Sequence, residues 1–333
     1  MSDRTDVSRR GVLKGIGAAV ATVGLSGVGT AADSGDSPWH VAETPTGNTL
    51  HDVEPTVGGA YAVGGGGVVI EQGAEGWTKT LDGGPTGNGN SLYGAATTDE
   101  GRTLWMVGSS GAIGEYDVET GNLNDHSAPM DVTNNFNDVA VTGAAGDANV
   151  YVAGDSGKIY YSFENGETGT WDYVTPGSGA ALPAIDFHGP RSGHVVDTNG
   201  TVFATDDGST WEAIGIGDAN VNFYGVDSDA ADDVTVVGGG GMIFRYDGAQ
   251  WTPTDLGDKS LRAVAYDDGE GYTVGGGGAV FDASSGRWYR EQTPSGGNLK
   301  DVAAGDEVMN FGDRSMVVGD AVAVGAGGLV FEQ

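Results

Sequence analysis

The sequence predicts an all-β chain of seven four-stranded units closed into a ring, and three separately counted signatures predict it. The first is a Gly-x-x-Gly turn between apolar runs, clearest in Tyr61-Ala62-Val63-Gly64-Gly65-Gly66-Gly67-Val68-Val69-Ile70. Such a phrase reads as two antiparallel strands on a tight turn, because glycine supplies the positive φ that the turn needs. It recurs at Val107-Gly108…Gly111, Ala153-Gly154…Gly157, Val196-Asp197…Gly200, Val237-Gly238…Gly241, Val274-Gly275…Gly278 and Val324-Gly325…Gly328, with closing glycines 37 to 50 residues apart. The second signature precedes each turn: Leu50-His51-Asp52-Val53, Leu92-Tyr93-Gly94-Ala95, Phe136-Asn137-Asp138-Val139, Ala184-Ile185-Asp186-Phe187, Phe223-Tyr224-Gly225-Val226, Leu261-Arg262-Ala263-Val264 and Leu299-Lys300-Asp301-Val302. The third is a tryptophan 10 to 14 residues beyond the closing glycine, at Trp77, Trp171, Trp211, Trp251 and Trp288, with none in the second unit.

Residues 1–32 read as an export leader. Ser8-Arg9-Arg10-Gly11-Val12-Leu13-Lys14 is close to the twin-arginine pattern, Arg9 and Arg10 being its motif residues. An uncharged Ala/Gly-rich stretch follows from Gly15 to Ala32, and Thr30-Ala31-Ala32 offers small side chains for cleavage. The chain has no cysteine, which excludes a lipid-anchoring thiol, disulfides, thiolate metal sites and cysteine nucleophiles together. The expectation is twin-arginine export to the cell surface or the medium, with no stable membrane insertion once the leader is removed.

Residues 33–333 are expected to form one domain. Pro38-Trp39-His40-Val41 reads as a lone strand. Each later unit then supplies an inner Leu-x-Asp-Val strand, two hairpin strands and an outer strand carrying tryptophan. The seventh unit stops at Phe331-Glu332-Gln333, short of its tryptophan strand, and the missing strand stands at the other end as Trp39. Pairing the two ends completes the unit and removes an open sheet edge. The prediction is a single seven-bladed β-propeller whose last blade is closed by the N-terminal strand. Continuous apolar runs such as Val234-Thr235-Val236-Val237 fit strands covered on both faces, and no stretch beyond the leader shows a helical period.

The 62 glycines follow no three-residue period, so a collagen-like chain is excluded. Forty-seven Asp and Glu against 15 Lys and Arg give a formal charge of −32, which argues against nucleic acid as a partner. The acids are scattered through turns such as Asp99-Glu100, Asp206-Asp207, Asp232-Asp233 and Asp267-Asp268. With only five lysines, that pattern resembles a halophilic, haloarchaeal surface. In molar salt a Debye length of about 3 Å screens the self-repulsion.

The three phrases, over essentially all of residues 39–333, resemble the WD40/YVTN/BNR-like repeat superfamily. Within it they are similar to photosystem II assembly-factor-type propellers and their non-photosynthetic relatives. Ala204-Thr205-Asp206-Asp207-Gly208-Ser209-Thr210-Trp211 nearly matches the Asp-box of sialidases and other BNR proteins. In those families the box is a structural turn, so the match supports a fold and not a chemistry.

No catalytic, metal or cofactor site is predicted. A glycan-acting hydrolase, sialidase/BNR-like, is the alternative reading. It needs two carboxylates about 5–5.5 Å or 6.5–9.5 Å apart, a condition so acidic a chain meets by chance. It also needs clustered arginines, and of the arginines only Arg262 falls on an inner strand. Gly154-Asp155-Ser156-Gly157 looks like a serine-nucleophile turn but is the third copy of the hairpin turn, with no His–Asp pair to serve it. Quinone-cofactor docking repeats are missing. Asp227, Asp229 and Asp232 lack the glycine and closing Glu of a calcium loop and read as a solvated acidic turn. His40, His51, His126, His188 and His194 show no metal-ligand spacing.

The second position of Leu-x-Asp-Val is the candidate binding position, because it falls early on the innermost strand, at the channel mouth. Round the ring it reads His51, Tyr93, Asn137, Ile185, Tyr224, Arg262 and Lys300. Ring closure makes the sixth, seventh and first blades neighbours, so Arg262, Lys300 and His51 are expected to form a basic arc beside Tyr93. In the assembly-factor-type family this position often carries arginine and contributes to a binding patch, which the resemblance extends to Arg262 and Lys300. The competing reading packs these side chains into the seams between blades. The function expected is non-catalytic: a monomeric scaffold that recognises a protein segment or an anionic ligand on one face.

Overall fold

The computed structural model describes residues 37–217, 219–304, 308–311, 314–317 and 321–333; the leader, with Arg9 and Arg10, lies outside the described residues. Seven four-stranded antiparallel sheets form the blades of a β-propeller. Their inner strands are Leu50–Thr56, Leu92–Thr97, Phe136–Ala144, Ala184–Phe187, Phe223–Ala230, Leu261–Asp267 and Leu299–Ala303.

Closure follows the predicted pairing. Blade seven consists of Leu299–Ala303, Val322–Gly325, Val330–Glu332 and the N-terminal strand His40–Val41. His40 lies opposite Glu332 and Val41 opposite Phe331, and the Ala42 N–H donates to the Val330 carbonyl at 3.0 Å. Between the inner and second strands of this blade an extra hairpin, Val308–Phe311 with Arg314–Val317, accounts for the longest interval between turns. The sequence reading placed no element there.

Apolar side chains gather in seven clusters, each spanning one seam between adjacent blades. The outer-strand tryptophans lock these seams by reaching back to the preceding blade. Trp77 donates its indole N–H to Glu332 at 2.9 Å, and Trp251 donates to the Ile214 carbonyl at 3.1 Å. Trp39 is 2% exposed and sets its ring edge-on to Tyr272 of blade six, with centroids 5.5 Å apart. Blade two, which has no tryptophan there, fills its seam with Tyr116 and Leu123 against Tyr61, Val63 and Val69.

The two turn glycines serve different needs. Gly67, with φ +70°, sits in the left-handed region that glycine adopts without strain. Gly64 is extended, but a Cβ on it would collide with the Thr49 carbonyl beside the inner strand. The Asp206-Asp207-Gly208-Ser209-Thr210 turn is held by its own side chain: the Asp207 carboxylate accepts N–H bonds from Ser209 at 2.7 Å and Thr210 at 2.6 Å. Those bonds, Thr210 first, hold its pKa far below the usual carboxylate range.

Candidate functional site

The inner strands open with a β-bulge that expels one residue from the ladder. Leu50 pairs with Gly64 and Asp52 with Val63, which leaves His51 as the extra residue. The same break sets out Tyr93, Asn137, Tyr224, Arg262 and Lys300. All six line one cavity of about 70 Å³ at this end of the channel.

Blade four differs from its sequence assignment. Ala184 pairs with Val196 as Asp52 pairs with Val63, so Pro183 takes the expelled position and lines the cavity. Ile185 falls where blade one has Val53 and is 2% exposed in the seam. Asp186 had imitated the signature aspartate, but the register places it two residues further along.

Tyr224, Arg262, Lys300, His51 and Tyr93, from blades five, six, seven, one and two, make a continuous arc. The Arg262 guanidinium lies over the Tyr224 ring, 4.1 Å from its centroid, and His51 meets Tyr93 edge-to-face at 5.2 Å. Burial, followed by repulsion from Lys300, lowers the His51 pKa to about 4, so this residue is uncharged at neutral pH. Burial, followed by repulsion from Arg262, also lowers the Lys300 pKa. Among the described residues neither Arg262 nor Lys300 has a carboxylate within ion-pairing distance, whereas Arg245 is gripped by Asp233 and Arg102 by Glu119. The structure therefore brings together the four sequence candidates His51, Tyr93, Arg262 and Lys300, with two fixed charges among them.

Across the mouth the chemistry reverses. Asn137 donates to Asp155 at 3.0 Å and to the Leu182 carbonyl at 3.1 Å, and Asn135 donates to the other Asp155 oxygen at 3.0 Å. The Gly154–Gly157 turn is thus a support for this side of the mouth. Ser156 makes no hydrogen bond through its hydroxyl among the described residues.

Below the arc lie buried carboxylates that sequence reasoning missed as a set. Asp301 accepts the Val53 N–H at 3.0 Å, Asp52 accepts that of Ala95 at 3.0 Å, and Asp138 accepts that of Ile185 at 2.9 Å. One tier deeper, Asp186 accepts the Ser228 N–H and Asp227 that of Tyr266, each at 2.8 Å. Each bond ties an inner strand to the next blade, which satisfies buried groups that would otherwise destabilise the fold. Asp227, expected in a solvated acidic turn, is instead fully buried on its inner strand. The signal was an acid directly following the strand's apolar opening, in Phe223-Tyr224-Gly225-Val226-Asp227. These buried carboxylates disfavour an anion deeper in the channel.

No protein-family model and no curated protein matches the chain. Solved structures do. YCF48 from Cyanidioschyzon merolae superposes with a TM-score of 0.66 at 17% identity, covering 88% of this chain and 98% of that one. A structure of YCF48 bound to D1 peptide gives 0.66 at 13%, covering 89% and 97%. The WD40 β-propeller domain of Doa1 gives 0.68 at 13%, covering 90% and 98%. At these identities what is shared is the architecture: the chain is a seven-bladed β-propeller of four-stranded antiparallel blades.

Proposed function

We propose that this is a non-catalytic, protein-binding propeller that takes an anionic group of its partner at the mouth formed by His51, Tyr93, Tyr224, Arg262 and Lys300. The observation that carries the reading is the pair of half-buried cations, Arg262 and Lys300, left without a carboxylate partner among the described residues on a chain of formal charge −32. Desolvation makes such cations strong anchors for an incoming carboxylate or phosphate. The peptide seen on YCF48 supports polypeptide as the partner class, on a shared architecture. The twin-arginine pattern around Arg9 and Arg10 supports work at the cell surface or outside, and the scattered acids support a high-salt setting. Capture of partners from cell-envelope extract tests the reading. The Arg262→Glu/Lys300→Glu protein is expected to lose the captured species, and undiminished capture would remove the mouth from consideration.

A further inference from the structure

We infer that Asn199 is an N-glycosylation site on the same face as the channel mouth; the inference rests on the proposed export. Of the chain's 15 asparagines, only Asn199 heads an Asn-x-Ser/Thr triplet, Asn199-Gly200-Thr201. The triplet occupies the Gly-x-x-Gly turn of blade four. At the position of Asn199 the other blades carry Gly66, Ser110, Ser156, Gly240, Gly277 and Gly327, so the turn itself has no use for a large side chain.

The local structure leaves the acceptor available. Asn199 is exposed, and among the described residues its amide nitrogen makes a single long bond, 3.4 Å to the Ser178 hydroxyl. Among the described residues no hydrogen bond takes up the Thr201 hydroxyl. The turn is held from beneath: buried Asp197 accepts the N–H groups of Asn199 at 3.0 Å and Thr201 at 2.8 Å. Gly200, at φ +82°, fixes the chain reversal between them. Backbone rigidity therefore costs the two reactive side chains nothing. Availability in the folded state matters because the twin-arginine route carries folded cargo, so a sequon inside a seam would be out of reach.

The co-reactant is a lipid-phosphate-linked sugar presented by a membrane glycosyltransferase. The Asn199 amide nitrogen bonds to the anomeric carbon, and the bond from that carbon to the phosphate oxygen breaks. The lipid phosphate departs with the electron pair, and the amide proton passes to a base of the transferase. Blade four stands across the ring from blades seven and one, so the sugar would crown the Asn137–Asp155 side and leave the Arg262–Lys300–His51 side open to a partner.

The test is peptide mass spectrometry on protein purified from the encoding organism. The expected result is a mature N-terminus beyond the leader and a sugar mass on the Asn199 peptide. That mass is expected to vanish in Asn199→Gln and Thr201→Ala and to persist in Thr201→Ser, with unchanged thermal unfolding in all three. A processed N-terminus with bare Asn199 overturns the modification and leaves export standing. Protein retained inside with its leader intact overturns both, and a sugar that survives Thr201→Ala overturns the assignment.

Discussion

Trp39→Ala puts ring closure to a direct energetic test. The closing strand contributes the pairs His40–Glu332 and Val41–Phe331 with the Ala42–Val330 bond beyond them, and His40 and Val41 are exposed, so the backbone ladder there is short and wet. The seam is sealed instead by Trp39, 2% exposed among Ala263, Val274, Leu299 and Phe331 and edge-on to Tyr272. Truncating so buried a ring costs about 3–5 kcal/mol, a large share of the roughly 5–15 kcal/mol that separates folded from unfolded chains. A fall in Tm on the order of 10 °C is expected by circular dichroism. Trp251→Ala, at a half-buried position, is the control and should cost less. The Trp39 indole N–H is buried without a hydrogen-bond partner among the described residues, so Trp39→Phe should retain most of the lost stability. A Trp39→Ala loss under about 1 kcal/mol, on a scale where core truncations cost several-fold more, would show that closure does not depend on this strand.

Other consequences are equally measurable. Asp138→Ala strands the Ile185 N–H that its carboxylate now accepts, and should cost about 1–3 kcal/mol in urea denaturation. His51 and His194 both have lowered pKa values, about 4 and about 3, mainly through burial, so the fold prefers them neutral. Their contribution is complete above the unfolded value near 6.5 and is lost as pH falls toward the folded values. Denaturation between pH 7 and pH 4 should show that decline, and His51→Gln should flatten it. Lys300→Met removes the charge that repels the His51 imidazolium, so NMR titration should find the His51 pKa raised; an unmoved value would separate the two side chains. Gly64→Ala drives a Cβ into the Thr49 carbonyl and should cost about 1–3 kcal/mol, whereas Gly65→Ala, whose Cβ would meet Asn48 and Thr49 only at ordinary van der Waals distance, should cost less.

Much of the architecture was legible because a propeller repeats its local rules. Gly64 and its counterparts mark a close approach of backbones, and Gly67 and its counterparts mark a left-handed turn, so both recur at fixed offsets from the apolar runs. Closure was legible because Trp39 lay where a tryptophan strand was missing. The placement of His51, Tyr93, Arg262 and Lys300 at one mouth was legible through the same repeat, because each precedes its aspartate or a small residue by one position. Blade four was misread by two residues, since Asp186 sits beside apolar neighbours just as a signature aspartate does, and only pairing with the second strand distinguishes them. The deeper carboxylates escaped notice because their partners are N–H groups some 40 residues away in the next blade. No local pattern encodes that. Nor does composition reveal that burial and Lys300 strip His51 of its charge.

Joining His40 and Val41 to the strand that ends at Glu332 has a consequence for biosynthesis. His40–Val41 has no mate until Val330–Glu332 has been made, so six sheets stack while the circle is still unlocked. Sealing is then a late event governed by the slow search of two segments far apart in the chain, and until it happens the flank of Val330–Glu332 stands open to pairing with a neighbouring nascent chain. Expression at high density should therefore favour strand-exchanged oligomers, which dilution before completion would suppress.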